Sequence, residues 1–204
     1  MPRYDWQQHK DKLNALYPIY GADGGNYTAI LLAGGEIVEY RKRTDSAVEE
    51  CCRAFGTTRQ ALARLYGPKV NLTVDVPLPL APGLVLVPLD MRAPLAKGHG
   101  AVGYVVLGRC AGVEAAAEKG YASRVVFVDG TAVLCRFRPE AVKDRLLRAQ
   151  QVEREYLAVH ETGLVPWQGG PAFGLPTLDG REPVMAIIGY AYALGRRRGR
   201  AATH

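Results

Sequence analysis

The segment RVVFVDGTAVLCRF, residues 124–137, carries the strongest turn signal in the chain. Asp129 and Gly130 separate two apolar runs, 124–128 and 131–137. An Asp-Gly pair readily adopts the positive φ angles that a two-residue hairpin turn needs. The segment therefore predicts two antiparallel strands joined by a tight turn.

A second hairpin is predicted upstream, where Gly34 and Gly35 separate the apolar runs 27–33 and 36–40. Three more short runs have the composition of strands, and they lie at 70–76, 84–87 and 102–107. The proline-rich stretch 77–82 predicts a rigid connector or the edge of a sheet, because proline cannot donate to a ladder.

Short helices are predicted near these strands. Residues 1–16 have apolar side chains at helical spacing and predict a short amphipathic helix. Ser46 and Glu49 have the spacing of a capping box, which predicts a helix at 47–55. Thr57 is placed to cap a second short helix.

The longest helix is predicted at 139–160, where apolar residues recur near 3.6 spacing and Pro139 suits the first turn. Strands occur in runs and do not alternate with helices, which favours an α+β fold. We expect a largely antiparallel sheet with flanking short helices and one long helix near 139–160. Residues 163–181 predict irregular structure, and 183–194 a last apolar helix.

The net charge and the lengths of the apolar stretches indicate which classes of binding partner the chain can have. The formal charge is +6 and the pI is about 9.2, so the chain attracts polyanions. Nucleic acid is the leading partner class, and a basic surface that only maintains solubility is the alternative. The apolar stretches are far shorter than the ~20 residues that cross a bilayer, so we expect a cytoplasmic protein without membrane contact.

The chain lacks the usual motifs of enzymes and metal sites. It has no Walker loop, GxGxxG turn, nucleophile elbow or CxxC pair. We expect reduced thiols at the four cysteines, Cys51, Cys52, Cys110 and Cys135. The sequence therefore predicts no catalytic residue, no metal and no cofactor. The rival hypothesis is an enzyme whose active site has no recognisable motif.

Three segments in the same order resemble the ComK family of competence transcription factors. CRAFGTTR at 52–59 resembles the family's Cys-Arg-x-Phe-Gly-Ser-Ser signature, with threonines replacing serines. LVLVPL at 84–89, with Arg92 and Pro94 after it, resembles a strand that ends in Phe-Pro before an Arg-Pro pair. VVFVDGT at 125–131 resembles the family's Asn-Gly hairpin before a long helix.

The resemblance covers 45–158, and 27–44 more loosely. It divides the chain into an accessory N-terminal segment, 1–20, a ComK-like DNA-binding domain, 21–160, and a poorly matched C-terminal region with a basic tail, 161–204. At 99–104 this chain has HGAVGY where the family has a cysteine and a tryptophan.

The resemblance implies a transcriptional activator of genes for DNA uptake, located with the nucleoid in the cytoplasm. It implies binding of paired A/T-rich tracts of double-stranded DNA through the minor groove, by a homo-dimer or tetramer without a helix-turn-helix. RNA polymerase and a protease adaptor are further implied partners. The alternative is a protein-interaction module that has this fold and does not bind DNA specifically.

Residues 41–69 contain seven cations and three carboxylates, a local charge of +4 that suits contact with phosphates. Arg53, Arg59 and Arg92 are the candidates for insertion into a narrow minor groove. Thr57 and Thr58 lie at a helix start, where hydroxyls and backbone N–H groups bind phosphate. The predicted DNA-binding residues are Arg41, Lys42, Arg43, Arg53, Thr57, Thr58, Arg59, Arg64, Lys69, Arg92 and Lys97.

Four of these assignments have an alternative. Thr57 serves equally well as a helix cap alone. Arg53 has the spacing for an ion pair with Glu49 within one helix. Arg92 and Lys97 either enter a groove from a mobile basic loop or are solvated loop charges.

Overall fold

Both predicted hairpins are present in the computed structural model, which describes residues 4–96 and 98–161. Gly34 and Gly35 have φ angles of +85° and +86°, which residues with a Cβ rarely adopt. In the downstream hairpin the Phe127 N–H donates to the Thr131 carbonyl at 2.8 Å. In the downstream pair Gly130 has a positive φ angle of +81° and Asp129 does not, and the Gly130 N–H donates to the Phe127 carbonyl at 2.9 Å. This turn therefore contains three residues, 128–130, and not the predicted two, and it still joins two antiparallel strands.

Nine strands and four α-helices occur in the described residues. The strands are β1 Leu13–Tyr20, β2 Asn26–Leu32, β3 Ile37–Tyr40, β4 Leu78–Ala81, β5 Leu84–Asp90, β6 Val102–Val106, β7 Cys110–Ala115, β8 Ser123–Phe127 and β9 Ala132–Cys135. The helices are α1 Trp6–His9, α2 Thr44–Ala54, α3 Arg59–Tyr66 and α4 Pro139–Glu161.

The strands form two sheets. The larger has six strands in the order β3-β2-β1-β6-β5-β4, and the smaller has three in the order β7-β8-β9. Every recorded pairing is antiparallel. The prediction of an α+β fold with a largely antiparallel sheet, short helices and one long helix from Pro139 is confirmed.

Both faces of the six-stranded sheet are covered. Leu84 and Leu86 belong to one core cluster, which includes apolar side chains of α2 and α3. Val85 and Val87 belong to a second cluster, with side chains of β8 and α4. A strand buried on both faces is apolar at every position, which explains the unbroken run at the start of β5.

The N-terminal prediction is wrong. Residues 1–16 were expected to form one helix within an accessory segment, 1–20, but α1 covers only four residues and β1 lies in the middle of the large sheet. Asn14, Ala15 and Leu16 are all fully buried. A strand buried on both faces lacks the alternation that distinguishes strands from helices, so the apolar spacing was misleading.

Three local differences occur elsewhere. The strand expected at 70–76 is absent, because Asn71 and Asp75 have φ angles of +54° and +50° that interrupt an extended chain. β5 continues through Pro88 to Asp90, beyond the predicted end. β7 was not predicted, since its small residues give no apolar alternation. The proline-rich stretch 77–82 contains β4, an edge strand as expected.

The ends of the short helices also differ from expectation. α2 begins at Thr44, ahead of the predicted capping box, and Arg43 precedes it without a side-chain cap. The hydroxyl that caps α3 belongs to Thr58, which accepts from the Ala61 N–H, and not to Thr57.

The described residues up to Val159 belong to one compact unit, Met1–Val159. Lys97 and residues 162–204 lie outside the described part of the chain. The predictions for 163–181, 183–194 and the basic tail fall there.

A polar network centred on the buried Asn14 side chain connects the two sheets. The Asn14 amide donates to Asp129 at 2.8 Å and to the Thr131 hydroxyl at 3.0 Å. The Gly34 N–H donates to the same Asp129 carboxylate at 2.9 Å, so this residue joins both hairpin turns. Arg109 donates to the Asn14 side-chain oxygen at 3.0 Å.

These bonds stabilise the ionised form of Asp129. The Thr131 hydroxyl is the largest cause that lowers the pKa of the carboxyl group, and Asn14 and the backbone N–H groups of Gly34 and Thr131 lower the pKa further. A carboxyl with a lowered folded-state pKa stabilises the fold above its unfolded pKa, and this contribution is lost as the pH falls toward the folded value.

We predict that Asp129→Asn lowers the free energy of unfolding at pH 7 by roughly 1–3 kcal/mol, because buried donors lose a charged acceptor. The difference from the wild type should shrink as the pH falls below about 4, the ordinary Asp pKa. Urea denaturation from pH 3 to pH 7 measures both effects. Glu114→Gln, which breaks an exposed ion pair with Arg124, is the control and should change little. An equal loss of unfolding free energy at every pH would show that the ionised Asp129 carboxylate is not the stabilising group.

Candidate nucleic-acid interface

A surface groove of about 720 Å³ lies between α2, α3 and the segment 73–76. Arg53 from α2 and Thr58 and Arg59 at the start of α3 line one side. Tyr104 of β6, which is 3% exposed, also lines the groove. Three residues of the 52–59 segment thus line one groove.

Arg59 is the best-held cation of this groove. Its guanidinium donates to Asp45 at 2.9 Å and lies 5.8 Å from the centre of the Tyr104 ring. Its backbone N–H donates to Glu49 at 3.2 Å. Burial raises the pKa of Tyr104 to about 12, so the ring remains a neutral phenol beneath the cation. Arg59 therefore presents an oriented positive charge to the groove.

Arg53 and Thr58 are engaged within the protein. Arg53 lies 3.3 Å from Glu49, one helical turn earlier, as the ion-pair alternative predicts. The Arg53 side chain is nevertheless 62% exposed. The Thr58 hydroxyl oxygen accepts the capping hydrogen bond from the Ala61 N–H at 3.1 Å, and its own O–H can still donate. The Thr57 backbone N–H donates to the Cys52 carbonyl at 3.1 Å.

The basic run after β3 is exposed, and each cation lies beside a carboxylate. Side-chain exposure is about half for all three residues, and the pairs are Arg41 with Glu39, Lys42 with Glu50 and Arg43 with Asp45. Exposed ion pairs such as those of Arg41 and Arg43 contribute about 0–1 kcal/mol, so a phosphate can replace their carboxylates at little cost. The Lys42 pair is different, because Glu50 is 19% exposed and also accepts from the Tyr40 hydroxyl. The run can therefore contact a polyanion.

Asp45 connects the basic run to the groove. Its carboxylate lies 2.9 Å from Arg59 and 3.8 Å from Arg43. The Arg43 guanidinium also donates to the Gly98 carbonyl at 2.9 Å. The run, the groove and the loop between β5 and β6 therefore form one continuous surface, which we call the basic surface.

Two predicted residues lie away from this surface. Lys69 pairs with Glu155 of α4 at 2.5 Å, and its carbonyl accepts from Gln151. Arg64 is exposed, but it lies about 140° around α3 from Arg59 on a helix with 3.6 residues per turn. Neither residue contributes to the groove. Lys97 lies outside the described residues.

The expectation that Arg92 enters a groove from an exposed loop is wrong. Arg92 is 6% exposed, and its guanidinium stacks 4.0 Å from the centre of the Tyr20 ring. It donates to the Asn26 side chain at 2.5 Å and to the Gly100 carbonyl at 2.9 Å. Burial lowers its pKa. Arg92 holds the base of the loop against β1 and β2 and does not face solvent.

Tyr20, at the end of β1, organises the same loop. Its hydroxyl accepts from the Leu95 N–H at 2.8 Å and lies 3.1 Å from Nδ1 of His99. Sequence reasoning missed Tyr20, Asn26, Asp45 and Tyr104 as residues that shape the surface. Tyr20 and Leu95 are 75 positions apart, and no local pattern indicates such a contact.

Among residues 4–96 and 98–161, no group of three or more His, Cys, Asp or Glu side chains is placed to hold a metal ion. The four cysteines are free thiols, three of them buried and Cys110 partly exposed. Burial raises the pKa of Cys52 and of Cys110 to about 12. Within the same part of the chain, no helix has the length and apolar character to span a membrane.

No family model, curated protein or solved structure matches the chain. The similarity to ComK proteins therefore depends on the three segments of the sequence itself. The function of the basic surface has to be inferred from its own geometry and charges.

We predict that Tyr20→Phe makes the Leu95 amide hydrogen exchange roughly 2- to 10-fold faster, since the loss of one neutral hydrogen bond costs about 0.5–1.5 kcal/mol. Amide exchange followed by NMR provides the measurement. Tyr121→Phe is a matched control, because no bond to the Tyr121 hydroxyl is found within the described residues. Unchanged exchange at Leu95 in Tyr20→Phe would show that the hydroxyl does not hold the loop.

Proposed function

We propose that the protein is a ComK-like DNA-binding transcriptional activator of genes for DNA uptake, and that the basic surface binds A/T-rich DNA through the minor groove. The observation that supports this most directly is the continuity of the surface. Asp45 lies between Arg43 of the basic run and Arg59 of the groove, so cations separated by 16 positions lie side by side.

Binding would exchange the carboxylate partners of the surface cations for DNA phosphates. Each cation that neutralises a phosphate releases a condensed counterion, which favours binding and makes it sensitive to salt. Narrow A/T-rich minor grooves concentrate negative potential and attract arginine in particular. Arg43, Arg53 and Arg59 are the arginines that the proposal assigns to phosphates or to the groove, and Arg92 is assigned to holding the loop.

The wider assignment comes from the resemblance. It includes action as a homo-dimer or tetramer, contact with RNA polymerase, a protease adaptor as regulator, and location with the nucleoid in the cytoplasm. Two A/T tracts bound by one assembly would need at least two copies of the basic surface.

A second candidate function is a protein-interaction module that does not bind DNA specifically. The pairing of the surface cations favours it, because five cations of the basic surface lie within 4.0 Å of carboxylates. Such a mixed surface also suits a polar protein interface. DNA binding experiments separate the two candidates.

We predict that the double variant Arg53→Ala, Arg59→Ala binds a duplex with two phased A/T tracts more weakly than the wild type. The slope of log affinity against log salt should become shallower by about 2, one for each lost phosphate contact. Fluorescence anisotropy across a salt series measures both quantities, with a G/C-rich duplex of equal length for comparison.

Arg124→Ala is the matched control, because Arg124 is an arginine of similar exposure paired with Glu114 on the smaller sheet. It should bind like the wild type. Equal or absent binding of the wild type to both duplexes would reject specific DNA recognition and favour the interaction module.

We also predict that Asp45→Asn increases affinity for the A/T duplex by roughly two- to fivefold at low salt, because it frees Arg43 and Arg59 from a competing carboxylate worth about 0.5–1 kcal/mol. Asp144→Asn, which breaks an exposed pair with Arg148, is the control and should have no effect. A weaker complex for Asp45→Asn would mean that Asp45 positions the arginines more than it competes for them.

A further inference from the structure

Leu95 is the most exposed of the large apolar side chains in residues 4–96 and 98–161, at 77%. It lies at the tip of the loop between β5 and β6. Its neighbours Ala93, Pro94 and Ala96 are also exposed and are smaller. Residues 93–96 therefore present one long aliphatic side chain among smaller apolar neighbours.

The backbone of this loop is held in place. The Leu95 N–H donates to the Tyr20 hydroxyl at 2.8 Å, and the His99 N–H donates to the Ala96 carbonyl at 3.1 Å in a tight turn. Gly98 permits that turn with a φ angle of +84°. A loop backbone that is held by such hydrogen bonds loses less conformational entropy when it binds a partner.

Arg92 fixes the base of the loop. It donates to the Gly100 carbonyl from one side of the loop to the other, and its guanidinium is stacked on the Tyr20 ring. Tyr20 therefore contacts the base through its ring and the tip through its hydroxyl. Contacts at the base of the loop and at the Leu95 N–H therefore fix the position of the exposed leucine.

The tip adjoins the basic surface. Arg43 donates to the carbonyl of Gly98, three residues after Leu95. Arg41 and Lys42 precede Arg43 in the same exposed run. A duplex whose phosphates contact this run would pass directly beside the loop.

We propose that Leu95 is a wedge residue, which enters the minor groove and partly unstacks one base step. This inference rests on the proposed function and adds the way in which the DNA is deformed. Minor-groove proteins often insert an apolar side chain between base pairs and thereby kink the duplex. The groove is about 6 Å wide, so a single leucine between small neighbours has a suitable shape.

The chemistry of the partner follows from this arrangement. A flexible pyrimidine–purine step such as TA, within an A/T-rich tract, unstacks with less cost than a stiff A-tract step. Leu95 would therefore select base steps that unstack easily, while the arginines would respond to the negative potential of the DNA. The preferred target is a TA step flanked by phosphates that the basic run can reach.

The test uses the full chain and an A/T-rich duplex with 2-aminopurine as the purine of a central TA step. The fluorescence of 2-aminopurine rises when the base unstacks. Binding of the wild type should increase this fluorescence, and Leu95→Ala should bind without the increase. Leu95→Met, which keeps a long apolar side chain, should give the wild-type increase in fluorescence.

Val128→Ala is the matched control, because Val128 is 59% exposed beside the β8–β9 turn on the other sheet. It should give the wild-type increase. Anisotropy with the same duplex reports binding independently of unstacking. Because Leu95 is exposed, its replacement leaves the core unchanged.

The outcomes distinguish the two proposals. Binding by the wild type with no increase in fluorescence, or an equal increase for Leu95→Ala, overturns the wedge and leaves the DNA-binding proposal intact. A tip that serves a protein partner gives the same result. Absence of binding at all salt concentrations overturns the proposed function and the wedge together.

Discussion

Strand β1 is the constraint on which the rest of the structure depends, because it is held at both ends by partners far away in the sequence. Near its start, the buried amide of Asn14 needs acceptors and finds them in Asp129 and Thr131 of the smaller sheet. A buried amide without such partners costs about 1–3 kcal/mol. At its end, Tyr20 holds the loop that carries Leu95. One central strand thus connects the junction of the two sheets with the candidate interface.

The basic surface combines weak ion pairs with a rigid frame, and these two properties have different origins. Its exposed arginines are neutralised by nearby carboxylates, a pairing that surface solvation makes inexpensive to exchange. The frame beneath it is buried, since Tyr104 is almost inaccessible and Arg92 is enclosed between Tyr20 and Asn26. Positively charged groups that can change partners, placed on a buried support, are the arrangement on which the proposed contact with DNA depends.

Arg92 shows how burial changes the role of a residue. In the sequence it is a basic residue on a proline-bounded loop, which favours an exposed contact. In the structure Arg92 is 6% exposed, and its partners among the described residues are a ring face, an amide oxygen and a carbonyl oxygen, with no carboxylate. Such an environment suits arginine, whose delocalised charge is weakly hydrated and stacks on aromatic rings. The positive charge there holds the base of the loop, and the proposed contact with DNA is assigned to the exposed Leu95.

The sequence by itself determined the features that depend on neighbouring residues. The Gly34-Gly35 and Asp129-Gly130 turns, the long helix from Pro139 and the α+β class follow from local φ preferences and apolar spacing. It also placed Arg53, Thr58 and Arg59 among the predicted DNA contacts; these three residues line one groove, and their contact with DNA stays a prediction. Only the tertiary structure decided that β1 is central, that Arg92 is interior, that Lys69 pairs with Glu155, and that Asp45 joins two groups of cations. Burial on both faces and contacts between distant residues leave no local periodic signal, so no pattern in the sequence indicates them.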